Sequence, residues 1–165
     1  MTGSETVVRQ AFESHEAFEH TGNEYRVTTT VFEGSVAVDC TADVATYTVT
    51  VELPTLDAAT DDDVGPTVSL DWLETLERRL QDAPKATRVD VPLDEFDVTR
   101  GEQTVTVEYT FTWENPETAP DIAKTFVEYA EGTYAEGIIP GYEYNSPVAD
   151  LLANASQGGE GGTPL

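Results

Sequence analysis

The chain has 165 residues, of which 32 are acidic and 8 are basic, so its formal net charge at pH 7 is -24. A chain of this length fits one domain with a sizeable core. The charge excludes nucleic acid as an expected partner, because phosphate binding needs a basic surface. The single cysteine, Cys40, excludes both an intrachain disulfide and a cysteine zinc cluster.

The acidic residues are spread along the whole chain, and only Asp61 to Asp63 form a run. Carboxylates at this density repel one another at low ionic strength, whereas at ~1 M salt the screening length falls to about 3 Å. Scarce lysine together with abundant Asp, Glu, Thr and Val is therefore typical of a protein from an extreme halophile. The alternative, an acidic mesophilic protein that binds cations or basic partners, would favour acidic tracts.

Residues 5–20 are predicted to form an amphipathic helix whose apolar stripe consists of Val8, Ala11, Phe12, His15 and Phe18. This helix would hold both histidines of the chain, His15 and His20, five residues apart. Zinc-binding helices place their histidines four residues apart, so that both lie on one face. At ~100° per residue, a spacing of five turns the two rings about 140° apart. We therefore interpret His15 as a packed histidine, and a metal site at either ring would need further ligands from elsewhere.

Alternation of apolar and polar residues predicts strands over residues 25–32, 45–53 and 104–113, with shorter strands near 36–40 and 88–93. The stretches FEGS and VTRGEQ are predicted turns, and residues 54–66 are a predicted polar loop. Helices are predicted for residues 69–80, for a segment that begins with a capping-box-like pattern at Thr118, and for residues 146–155.

Such clean alternation favours an antiparallel sheet that is covered on a single face. The predicted fold is a two-layer α+β domain with a mainly antiparallel sheet of about five strands and helices on one face. Its element order is α-β-β-β-α-β-β-α plus a short C-terminal helix. We expect one domain over residues 1–155 and a flexible Gly-rich tail over residues 156–165.

Two segments are candidates for binding a partner. Five of the eight cations fall between residues 78 and 100, where they could dock an acidic partner through arginine forks, above all Arg78, Arg79 and Arg88. The alternative is that they pair with carboxylates nearby in the chain. The stretch YAEGTYAEGIIPGYEY surrounds two isoleucines with tyrosines that suit an interface, namely Tyr134, Tyr142 and Tyr144. The alternative is that the isoleucines fold back and close one end of the core.

The stretches YRVTTTVFE, VELPTLDAA, WLETLERRL and EGIIPGYEYNSPVADLL resemble an uncharacterised haloarchaeal family of small acidic proteins, defined as a domain of unknown function. The resemblance covers most of the chain and implies a haloarchaeal source and a cytoplasmic location, without an activity or a cofactor. The predicted element order also resembles the secretion-chaperone-like fold. That likeness lies in element order alone and implies only a fold-level analogy to peptide-holding chaperones.

Standard catalytic and cofactor motifs are absent from the sequence: there is no Walker loop, no G-x-G-x-x-G and no G-x-S-x-G elbow. We therefore expect a non-enzymatic binding or adaptor domain without a cofactor, whose partner is a protein or peptide, or a second copy in a homodimer. An apolar run of signal-peptide or membrane-spanning length is also missing, so we expect a cytoplasmic protein that does not bind membranes. The alternative function is a small metal-assisted enzyme that uses His15 or His20 with acidic side chains.

Overall fold

The structure is a computed structural model, and it describes residues 3–154. In chain order, the described part consists of α1 (Gly3–Glu13), β1 (Phe18–Thr21), β2 (Glu24–Val27), β3 (Glu33–Asp39), β4 (Ala45–Pro54), α2 (Leu56–Ala59), α3 (Pro66–Leu80), a 3-10 helix (Ala83–Ala86), β5 (Glu95–Arg100), β6 (Thr104–Trp113) and α4 (Ala119–Glu136). Residues 148–154 form a last helical segment.

The strands form one antiparallel sheet in the order β1-β2-β3-β4-β6-β5. Its centre is the pair β4 and β6, which are joined over ten residues each. Both strands alternate apolar residues with threonine or glutamate, and this period of two matches the pleat of a strand. The predicted α+β class with an antiparallel sheet is confirmed, with six strands in place of about five.

The two faces of the sheet differ in chemistry. One face carries the fully buried side chains of the central strands, including Tyr47, Val49, Tyr109 and Phe111. The helices cover this face: Phe12 of α1 stacks on Tyr25 with ring centroids 4.6 Å apart, and α4 contributes a phenylalanine that packs edge-on against Phe111. The other face presents threonines and carboxylates that are partly or fully exposed. The expected covered face and wet face are both observed.

The predicted first helix, residues 5–20, is wrong in its second half. α1 ends at Glu13, and the chain from Phe18 onward forms β1, which returns as β2 through a two-residue turn of Gly22 and Asn23. Gly22 has φ +58°, a conformation that glycine adopts without steric cost and that suits the first position of a hairpin turn. Phe18 is buried from its place on the strand, so its apolar side chain did not distinguish a helix from a strand.

The predicted strand 25–32 is also too long, because β2 ends at Val27. Beyond it, the backbone bonds to a helix instead of a neighbouring strand: the N–H groups of Val31 and Phe32 donate to the Glu131 carboxylate of α4, at 2.6 and 2.9 Å. Burial raises the pKa of Glu131, although the two N–H donors oppose that shift. A half-buried carboxylate thus accepts the backbone hydrogen bonds that a neighbouring strand would otherwise accept.

The predicted turn at FEGS is wrong as well, since Glu33 to Ser35 begin β3. Gly34 is buried there, and a Cβ at this position would lie 2.5 Å from a methyl group of Val127 on α4. The glycine therefore allows a helix to approach the sheet closely instead of turning the chain.

Four further expectations, from residue 54 onward, are corrected. The predicted loop 54–66 contains the short helix α2, and the edge strand lies at Glu95–Arg100 instead of residues 88–93. β5 therefore includes Val98 to Arg100, which were predicted to lie in the turn VTRGEQ. Thr118 does not cap α4 with its side chain, because its hydroxyl accepts the indole N–H of Trp113 at 2.8 Å. The end of the predicted helix 146–155 and the predicted tail 156–165 lie outside the described residues.

Two buried tyrosines of the core differ in their hydrogen bonding and permit a matched test. The hydroxyl of Tyr109 donates to the carbonyl of Leu80 at 2.8 Å, whereas within residues 3–154 the buried hydroxyl of Tyr47 has no partner. Burial raises the pKa of Tyr47 to about 12, so this phenol is a protonated donor at neutral pH.

We expect Tyr109→Phe to lower the free energy of unfolding by about 1 kcal/mol, because it removes a buried hydrogen bond and leaves a carbonyl unpaired. Tyr47→Phe should leave the stability unchanged or raise it, because it removes an unpaired polar group. Urea unfolding of both variants in about 2 M KCl, where surface charges are screened, makes the comparison. Equal losses in the two variants would contradict this reading of the core.

Candidate functional site

An apolar cavity on the described surface lies between α3 and the C-terminal end of α4. Its volume is about 360 Å³, near the lower end of the range for ligand pockets. Its apolar wall is formed by Val68, Trp72, Leu76 and Ile139, and the polar residues Asp71, Thr75, Arg79 and Thr133 also line it. We call this cavity the α3–α4 groove.

Helical spacing explains how α3 forms one wall. Val68, Trp72 and Leu76 recur every four residues, so they lie on one face of the helix. Pro66 occupies the first turn, where its missing N–H removes no helical bond. α4 ends at Glu136, and the N–H of the next residue, Gly137, bonds to the carbonyls of Thr133 and Tyr134. The chain then turns, and Ile139 forms part of the opposite wall.

The Trp72 ring lies in the groove wall and contacts the buried ring of Tyr134. Its side chain is 6% exposed, and it meets the ring of Tyr134 edge-on, with centroids 5.5 Å apart. In the described part of the chain, neither the Trp72 indole N–H nor the Tyr134 hydroxyl has a hydrogen-bond partner. Burial also raises the pKa of Tyr134. An unpaired buried polar group costs about 1–3 kcal/mol, so this region is less stable than its apolar contacts alone would make it.

Arg79 supplies a positive charge at the edge of the groove. Its guanidinium lies 3.5 Å from the carboxylate of Glu136, and both side chains are largely exposed. An exposed ion pair of this kind contributes only ~0.2–1 kcal/mol. The backbone at Arg79 is held in place, because its carbonyl accepts the hydroxyl of Tyr129 at 2.9 Å. The guanidinium can therefore exchange Glu136 for another carboxylate at little cost.

The six residues predicted to bind a partner do not form one surface. Arg79 lies in the groove wall, and Tyr134 is fully buried behind it. Arg78 is exposed on α3, and among residues 3–154 it has no carboxylate within 4.0 Å. Arg88 lines a different cavity, at the start of α4. Two other cations of this segment form ion pairs. Lys85 pairs with Asp82, three residues away in the chain, whereas Arg100 pairs with Glu77 on α3.

The last two predicted residues, Tyr142 and Tyr144, belong to a segment that is tied to the loop after α2. The Tyr144 hydroxyl donates to the carbonyl of Ile139, and its backbone forms an isolated bridge with Thr60. Ile138 and Ile139 are partly buried and pack against the core. Tyr144 thus holds the segment that contains a groove residue. Neither Trp72 nor Val68 was predicted to bind a partner, because their apolar spacing is also that of an ordinary core helix.

The two histidines lie on different elements, so the predicted geometry on one helix does not apply. His15 follows α1 in a turn, and both ring nitrogens are bonded: Nε2 lies 2.7 Å from Asp121, and Nδ1 accepts the N–H of Ala17 at 3.1 Å. His20 is on β1, half exposed, with its Nδ1 3.9 Å from a carboxylate oxygen of Glu13. Within residues 3–154, no group of three or more His, Cys, Asp and Glu side chains is arranged to hold a metal ion.

A third cavity, of about 430 Å³, brings His20 and Cys40 to a common surface together with Tyr25. The sequence did not indicate this neighbourhood, because the two residues are 20 positions apart. Burial raises the pKa of the Cys40 thiol, and the carboxylates of Glu5 and Asp39 raise it further. A smaller fraction of this residue is therefore thiolate at neutral pH than in a free cysteine, and the residue is a weak nucleophile.

The model of a family of unknown function, DUF5813, matches residues 13–154. No curated protein and no solved structure matches the chain. No helix in the described range is long and apolar enough to cross a membrane.

Proposed function

Because the chain belongs to this family of unknown function, DUF5813, we propose from the geometry that the protein is a non-catalytic binding domain that holds a segment of a protein partner in the α3–α4 groove. The observation that carries the proposal is an apolar cavity whose wall includes a nearly buried tryptophan with an unpaired indole N–H. Buried aromatic side chains in pockets are the usual energetic centres of protein interfaces.

The groove and its surroundings define the chemistry of the partner. Its aliphatic and aromatic wall favours an apolar side chain. Arg79, which lines the groove in the last turn of α3, favours a carboxylate next to that side chain. The proposed occupant is therefore a short amphipathic segment with an aliphatic anchor and an adjacent Asp or Glu. The expected cytoplasmic location at high salt, proposed from the composition, suits this mode because multimolar salt screens long-range charge and leaves apolar contact as the main attraction.

Two exposed aliphatic residues on α3 provide a matched test. Val68 is 38% exposed and lines the groove, whereas Leu70 is 48% exposed and does not line it. We expect Val68→Glu to reduce capture of a partner from a haloarchaeal lysate by at least about tenfold, because the new carboxylate replaces an apolar wall residue and competes with the partner's own carboxylate for Arg79. Leu70→Glu adds the same charge to the same helix and should capture normally.

Capture is measured in about 2 M KCl to keep charges screened, with a photo-crosslinking residue at position 68 or 70 to locate the contact. A protein that is lost with Val68→Glu alone and crosslinks from position 68 supports the proposal. Equal capture by the two variants, or crosslinking from position 70 alone, contradicts it. Light scattering on the purified chain tests the homodimer, and a dimer that Val68→Glu dissociates would replace the foreign partner by a second copy.

A further inference from the structure

A separate cavity, of about 450 Å³, lies where the segment after the 3-10 helix meets the first turns of α4. Arg88 and Lys124 both line it, although they are far apart in the chain. The chain contains only 8 basic residues against 32 acidic ones, so two cations that share one cavity form a local reversal of its charge. We call this site the α4 N-terminal cavity.

The cationic groups of this cavity are largely available. Among residues 3–154, Arg88 has no carboxylate within 4.0 Å. Lys124 pairs with Glu128 one turn further along α4, at 3.4 Å, and an exposed pair of this type on a helix is weak. Arg88 therefore remains a free five-donor group, and Lys124 is held by an interaction that a stronger ligand can displace.

The one acidic residue of the cavity wall, Asp121, is engaged by a residue outside the cavity. Its carboxylate lies 2.7 Å from Nε2 of His15. Since Nδ1 of His15 accepts the N–H of Ala17, a neutral ring carries its proton on Nε2 and donates it to Asp121. The carboxylate is thus already hydrogen-bonded and is less able to pair with Arg88 or Lys124.

The remaining wall selects what kind of anion the cavity fits. Val89 is 47% exposed, and Ile122 supplies a second apolar side chain. The positive end of α4, an 18-residue helix without a side-chain cap, adds a favourable field that Asp121 in its first turn partly offsets. A guanidinium fork matches two oxygens of a carboxylate or phosphate, whereas it makes no such paired contact with chloride.

We propose that the α4 N-terminal cavity binds an oxyanion, a carboxylate or phosphate group, with Arg88 and Lys124 as the charged contacts. The apolar wall accommodates a short aliphatic group attached to that anion. The site is distinct from the α3–α4 groove and does not depend on it.

The test is a titration of the full ¹⁵N-labelled chain with potassium phosphate and, separately, potassium acetate, in about 2 M KCl so that nonspecific charge effects are screened. We expect saturable shifts of the amide signals of Thr87 to Val89 and of Asp121 to Lys124. Arg88→Gln should weaken binding by at least about tenfold, equivalent to ~1.4 kcal/mol. The matched control is Arg78→Gln, which removes another exposed arginine without an ion pair in the described range and leaves this cavity unchanged.

The two probes distinguish the sources of the oxyanion. Saturation by phosphate alone assigns a phosphate-bearing ligand, saturation by acetate alone assigns a carboxylate, and either result supports the site. Shifts that do not saturate with either probe would overturn the proposal, as would equal weakening by Arg88→Gln and Arg78→Gln. The dispersion of each variant's spectrum shows that it is folded.

Discussion

The protein should lose stability steeply as KCl falls from multimolar to about 0.1 M, because the screening length then grows from less than ~3 Å to about 10 Å. Its net charge of -24 produces repulsion between carboxylates in the folded state, and this repulsion grows as the salt concentration falls. Unfolding relieves it by moving the charges apart. We expect a loss of several kcal/mol. Since 1 kcal/mol shifts Tm by roughly 2–4 °C in a domain of this size, Tm should fall by more than about 10 °C.

The sheet contains specific sites at which this repulsion acts. Glu33 lies directly opposite Glu52 between β3 and β4, and Asp97 lies directly opposite Glu108 between β5 and β6. Like charges in facing positions destabilise a sheet by ~0.2–1 kcal/mol per pair. Both pairs lie on the face that the helices leave open, where dissolved cations can reach them.

Glu52→Gln and Asp97→Asn should therefore each raise stability at about 0.1 M KCl by ~0.2–1 kcal/mol and have little effect in multimolar KCl. The matched control is Glu19→Gln, which removes the same charge from a residue that faces Arg26. If local pairs matter, this control should gain less than the other two variants or lose stability. Thermal unfolding followed by circular dichroism across a KCl series measures all three. A wild-type curve that does not change with salt would refute the whole argument.

The second large effect concerns the contact between α4 and the sheet at Gly34. A Cβ added there would lie 2.5 Å and 2.9 Å from the two methyl carbons of Val127, closer than such atoms can approach. Gly34→Ala should lower the free energy of unfolding by about 1–3 kcal/mol, because the core must shift to accept the methyl group. Val127→Ala alone should cost roughly 1–3 kcal/mol through the cavity that it leaves.

The double variant Gly34→Ala with Val127→Ala should cost less than the sum of the single changes, since one added methyl group occupies part of the space that the other substitution opens. Gly132→Ala is the control: it adds the same atom to an exposed position of α4 with no heavy atom within 4 Å, and alanine should stabilise that helix by roughly 0.5–1 kcal/mol. Urea unfolding in about 2 M KCl measures the cycle. Additive losses would show that Gly34 and Val127 do not meet.

Several elements were predictable because their signal is local. β4, β6, α3 and α4 each contain enough apolar residues at a period of 2 or 3.6 to identify both their type and their buried side. The boundary after α1 was not predictable in this way. Phe12, His15 and Phe18 recur at helical spacing, yet the chain leaves the helix after Glu13, and Phe18 is buried by its place in the sheet. An apolar residue indicates that its position is buried, but not which backbone conformation buries it. Here Phe12 is buried from a helix and Phe18 from a strand.

The roles of Gly34 and Arg88 also could not be predicted from the local sequence. Gly34 sits between Glu and Ser and is typical of a turn by composition, but it is required by the approach of α4, whose path the local sequence does not contain. Arg88 lies among carboxylates of its own segment, but it shares a cavity with Lys124 of a different helix.

Composition and periodicity by themselves determined the net charge, the expected response to salt, the α+β class and the wet and dry faces of the central strands, because these properties depend on residue type and on neighbours two to four positions apart. Only the tertiary structure decided that Trp72 and Ile139 form one groove and that Arg88 and Lys124 form one cavity. Those groupings join residues 67 and 36 positions apart. They depend on how helices and connecting segments pack together, and no short-range pattern encodes that packing.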